Sequence, residues 1–108
     1  MTVHVVLFRP RAGLTFEDRD ALLDAMARAA AGIESVRAFR VGSHVENAPN
    51  YAIGDFPVFP YMALLEFDDD DGLRAYLEHP LHVELAARFN EAAEAAYIYD
   101  FTVTGELR

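Results

Sequence analysis

The chain has 108 residues, enough for one domain and too few for two independent cores. Its formal net charge is −9, all nine Lys/Arg positions are arginine, and no local basic stripe stands out, so no nucleic-acid partner is expected. The absence of cysteine excludes disulfides, a thiolate nucleophile and thiolate-held metal, and no apolar run approaches the roughly 20 residues of a membrane span. The first residues, Met1 to Arg9, lack the basic start and cleavage site of a signal peptide, which makes the cytoplasm the expected compartment.

Val3 to Phe8 reads as a strand that is apolar on both alternating sides, Val3, Val5 and Leu7 against His4, Val6 and Phe8. Such a strand belongs to a sheet covered on both faces. Thr15 predicts a helix cap, with Glu17 and Asp18 against the positive end of the helix dipole. Leu22, Leu23, Met26 and Ala30 follow at helical spacing, and Gly32 closes the helix. A second strand is expected over Val36–Val41, ended by Gly42.

From Ser43 to Pro60 no period is sustained, and Asn47, Pro49, Asn50, Gly54, Pro57 and Pro60 predict a long loop. Its aromatics Tyr51, Phe56 and Phe59 argue for order, either as a packing segment or as a lid or partner-gripping arm. Tyr61 to Phe67 is the third strand, with Tyr61, Ala63, Leu65 and Phe67 on one face and Met62 and Leu64 on the other. Asp68 to Asp71 lack the alternating ligands of a calcium loop and read as a cap plus first-turn acids. A short helix over Leu73–Glu78 breaks at His79-Pro80, where another begins with Leu85, Ala86, Phe89 and Ala93 on one stripe. The last strand is expected over Tyr97–Val103.

This order, βαββαβ, predicts one α+β domain over residues 1–108: a ferredoxin-like, four-stranded antiparallel sheet with both helical layers on one face. The other face would then expose more apolar surface than a monomer tolerates. A homodimer packed sheet to sheet, a dimeric α+β barrel, removes that exposure.

Chemistry concentrates in Tyr76-Leu77-Glu78-His79-Pro80-Leu81-His82 together with His4. His82 shares a stripe with Leu85, Ala86 and Phe89, so burial would keep its imidazole neutral and fit to act as a general base. Tyr76 would polarise a carbonyl or phenolate oxygen, and His4 projects from the first strand beside Val6 and Phe8. Each has a structural alternative: His79 as a helix cap, His82 and Tyr76 as hydrogen-bonded core groups, His4 as a packed strand residue. Metal ligation is not expected, because His79 and His82 have no acidic partner at ligand spacing. No glycine-rich phosphate loop is present, and no Ser–His–Asp set is legible in the local sequence.

These residues resemble the stress-responsive dimeric A/B barrel (Dabb) domains across nearly the whole chain. The likeness lies in Val3-His4-Val5-Val6-Leu7-Phe8, Gly32-Ile33-Glu34-Ser35-Val36, Leu64-Leu65-Glu66-Phe67-Asp68, the His-Pro-x-His element and Tyr97-Ile98-Tyr99-Asp100-Phe101. The resemblance implies a ferredoxin-like protomer that pairs sheet to sheet. A plant polyketide cyclase of the family uses a tyrosine and a histidine for an intramolecular aldol condensation, and these fall on Tyr76 and His82, with its first-strand histidine on His4. Its pocket positions fall on Val6, Phe8, Leu22, Met26, Ala63, Leu65, Leu73, Leu77, Phe89, Ala93 and Ile98, all apolar here. The segment between Gly42 and Tyr61 is longer than the family pattern. The resemblance thus implies a cofactor-free cyclase or lyase on a polyketide-like carbonyl compound, or a non-catalytic dimer that binds a small apolar ligand. A cofactor-free monooxygenase on the same fold is the third reading, against which the absence of tryptophan counts.

Overall fold

The computed structural model describes residues 1–47, 51, 53–54 and 57–107; Pro49, Asn50 and Phe56 of the expected loop lie outside the described residues. The elements are β1 (Thr2–Pro10), α1 (Phe16–Gly32), β2 (Ala38–Ser43), β3 (Tyr61–Phe67), α2 (Asp70–Glu78), α3 (Pro80–Ala92) and β4 (Ala93–Thr102). The strands form one antiparallel sheet in the order β2-β3-β1-β4, the ferredoxin-like arrangement expected from the element order.

The helix ends follow the local chemistry. Thr15 Oγ1 accepts a hydrogen bond from Asp18 N at 3.1 Å, and Asp69 Oδ1 accepts one from Gly72 N at 2.9 Å. Each satisfies one of the four amide donors that a helix start leaves unpaired. His79 ends α2 and caps α3, its Nδ1 accepting from Leu81 N at 3.0 Å, with Pro80 where a missing N–H costs nothing. The aspartate run is thereby accounted for: Asp69 caps, Asp70 accepts from Thr2 Oγ1, Asp71 pairs with Arg74 and Asp68 with Arg37.

Three expectations shift. The buried stripe of α1 is Leu22, Ala25, Met26 and Ala29, whereas Leu23 is 48% exposed: the buried side of the helix, which also packs on α3, includes two alanines the periodicity did not single out. At the end of α1, a Cβ on Gly32 would lie 2.5 Å from Leu81 Cδ1 of α3. β2 starts and ends two residues later than expected, because Val36 N bonds Ile33 O in a turn and Gly42 pairs within the strand opposite Met62. β4 begins at Ala93 rather than Tyr97. Ala95 and Ala96, helix formers by propensity, pair with Arg9 and Phe8, so the ladder to β1 overrides their local preference.

The register assigns the two sheet faces. His4, Val6 and Phe8 of β1 lie beside Leu65, Ala63 and Tyr61 of β3 and face the helices. The core there is built from Phe8, Leu22, Met26, Ile33, Leu65, Phe67, Tyr76 and Leu85. Burying a side chain the size of Leu65 is worth roughly 1.5–3 kcal/mol. The opposite face carries Val3, Val5 and Leu7, flanked by Leu64 and Met62 on one side and by Phe101, Tyr99 and Tyr97 on the other. No helix covers it. The described end of the long loop lies on this open face, where the Phe59 ring meets Tyr97 edge-on at 5.2 Å and Arg9 sits 5.9 Å above Phe59.

Candidate active site

The helix break at His79-Pro80 positions the polar groups. It interrupts the hydrogen-bond ladder of the last-turn carbonyls of α2, of which Tyr76 O accepts from the His79 amide at 3.1 Å. His82, in the first turn of α3, meets one of them: its Nδ1 lies 3.0 Å from Leu77 O. A carbonyl only accepts, so Nδ1 carries the proton and Nε2 keeps the lone pair. Burial pushes the His82 imidazole below its ordinary pKa, opposed by the Leu77 carbonyl and reinforced by nearby His4. The ring is therefore neutral at pH 7.

Tyr76 stands beside it, with ring centroids 4.6 Å apart. The phenol is only 2% exposed, and burial holds its pKa well above the ordinary value, so it stays a protonated donor. His4 is also beside Tyr76, with centroids 5.8 Å apart. Its Nδ1 is 2.5 Å from Asp100 Oδ1, a partner that the β1–β4 register sets directly opposite. The carboxylate orients the His4 ring as the Leu77 carbonyl orients that of His82. Two anchored imidazoles thus neighbour one phenol.

All three rings line a cavity of about 320 Å³ between the sheet and the helices. Of the expected apolar positions, Val6, Phe8, Met26, Ala63, Leu65, Leu77, Phe89 and Ile98 line it as well. Leu22 lines a neighbouring cavity, and Leu73 a groove beside α2. Ala93 lines none of these; it has left the helix and pairs with Pro10. Sequence reasoning missed Phe39, Asn90 and Asp100 as cavity residues, and placed Leu85 and Ala86 only on the buried stripe of the helix. Asp100 had one visible signal, the lone carboxylate in the expected strand Tyr97–Val103. Among the described residues no group of three or more His, Asp or Glu side chains is placed to hold a metal ion, and no helix is long and apolar enough to cross a membrane.

The family model of the stress responsive A/B barrel domain (Dabb) matches residues 2–103. The chain belongs to this family. A stress-response A/B barrel domain-containing protein of Arabidopsis thaliana is 29% identical over 84 residues, covering 78% of this chain and 72% of its own length. Among solved structures, the Arabidopsis thaliana protein At3g17210 superposes over the full length of both chains with a TM-score of 0.80 at 24% identity. The hydroxynitrile lyase of Passiflora edulis gives 0.79 at 15% identity, covering 99% of this Dabb chain and 96% of its own. A dimeric ferredoxin-like protein of unknown function from Thermobifida fusca gives 0.72 at 22% identity, covering 94% and 90%. At these identities the structural likeness speaks for the fold.

Proposed function

We propose that this Dabb protein is a cofactor-independent cyclase or lyase for a polyketide-like carbonyl compound, working as a homodimer closed over the open sheet faces. The observation that carries the reading is the Tyr76 phenol beside two imidazoles, each anchored through Nδ1, in a largely apolar cavity whose other polar lining residues are Asn90 and Asp100. In this scheme neutral His82 takes a proton from the carbon next to a carbonyl. The electron pair moves onto the carbonyl oxygen, which accepts a hydrogen bond from Tyr76. The enolate carbon bonds to a second carbonyl carbon of the same molecule, and the proton held on His82 returns to the new alkoxide. Nothing is oxidised or reduced, and no co-reactant is consumed. His4, held through Nδ1 by Asp100, forms the wall of the site beside Tyr76.

The hydroxynitrile lyase on the same fold supports a lyase-type reaction, and the dimeric neighbour supports the assembly. The open face supports it further, because Tyr99 and Phe101 are each 54% exposed beside Val3 and Val5. Turnover of poly-β-keto esters, followed by mass detection of the cyclised product, tests the chemistry. His82→Ala should lower the rate by about 10²–10⁴-fold, and Tyr76→Phe should lower it too. Undiminished turnover by His82→Ala removes His82 as the base. Ligand binding with no turnover by the wild type leaves the non-catalytic binding dimer in its place.

A further inference from the structure

A second cavity, about 600 Å³, opens between α1 and the ends of β2 and β3. Leu14, Leu22, Val41 and Tyr61 line it, and it shares Phe8 and Met26 with the cavity that holds His82 and Tyr76. The two therefore adjoin along β1. The line from His4 to Pro10 covers six residue steps of strand, about 20 Å. On one side of the wall made by Phe8 and Met26 lie the imidazoles and the phenol; the cavity on the other side carries Arg11 and Arg19.

These arginines differ in what they hold. Arg11 pairs with Asp18 at 3.0 Å and donates through Nε to Glu91 O at 2.6 Å. Arg19 has no carboxylate within ion-pair distance among the described residues, whereas every other described arginine does. In a chain with a net charge of −9 and 18 acidic residues, an arginine at a cavity with no carboxylate partner among the described residues stands apart. Glu17 and Asp20 are near it in sequence but do not line the cavity. Arg19 also sits in the first turn of α1, where the helix dipole favours an anion.

We propose that this second cavity receives the anionic end of an elongated apolar ligand, a long-chain carboxylate, and that Arg19 holds the carboxylate while the chain runs past Phe8 and Met26 toward His82. The proposal deepens the function proposed above by giving the substrate a polarity and a direction. Apolar walls contribute affinity for the chain whatever its end group, and one charge-assisted hydrogen bond separates acid from alcohol.

Calorimetric titration with decanoate and decan-1-ol, both below their aggregation concentrations, provides the test. The wild type is expected to bind decanoate about tenfold more tightly than decanol, a difference that salt reduces. Arg19→Gln should abolish the difference and leave decanol binding intact, and Arg19→Lys should keep part of it. Val41→Trp, at an exposed wall position, should weaken both ligands by filling the cavity. An unchanged acid-to-alcohol ratio in Arg19→Gln, or unchanged decanoate affinity in Val41→Trp, overturns the proposal. Turnover plays no part in these readouts, so failure here is distinct from failure of the His82 chemistry.

Discussion

The two faces of the sheet are made from alternate residues of the same strands, yet they have opposite fates. Leu65 points toward the helices and is 1% exposed, while its neighbour Leu64 points the other way and is only partly covered. The helix-covered face holds the core, the cavity and every side chain in the candidate active site. The open face is just as apolar but has no layer of its own. The comparison teaches that hydrophobicity does not distinguish a core from an interface within this chain. What distinguishes them is which face the α1 and α3 crossovers cover.

The largest difference should appear in paired substitutions. Leu65→Ala is expected to cost about 2–5 kcal/mol of unfolding free energy at any protein concentration, measured by urea denaturation. Leu64→Ala should cost less, and its cost should grow with protein concentration as the face becomes covered. A Leu64 effect that ignores concentration breaks the comparison. Tyr99→Glu should next convert dimer to monomer in light scattering with the far-ultraviolet spectrum unchanged; an unaltered mass would remove this face as the interface.

The helix-covered face should also be the one that senses acid. The His82 pKa is depressed by folding, so the unfolded chain binds the proton more readily. Stability is then full above about pH 6.5, the ordinary imidazole value, and falls as pH drops below it. His82→Gln should flatten that part of a thermal-stability profile, whereas an equally steep profile in the variant would assign the loss to another group. The smallest effect is expected far from both faces: Thr15→Ala should cost about 1 kcal/mol by leaving the Asp18 amide without its cap.

Much of this was legible because the deciding signals are local. Caps at Thr15, His79 and the aspartate run depend on a side chain and an amide two or three residues apart. Strand faces depend on alternation. The Tyr76–His82 pairing was legible too, since six positions across one helix break keep two side chains near each other. The misplaced start of β4 had a different origin. Ala92 and Ala93 carry the same local preference, and only the ladder to β1 separates the last helical residue from the first strand residue.

The sequence by itself determined the element order, the cap positions and the existence of two apolar sheet faces, because short-range periodicity and hydrogen-bond chemistry act within a few residues. Tertiary structure alone decided that Asp100 would meet His4 across 96 positions of chain. It also brought α1 against the sheet so that Arg19 stands at a cavity without a carboxylate partner among the described residues. Such contacts follow from strand register and helix docking, which depend on the packing of the whole core.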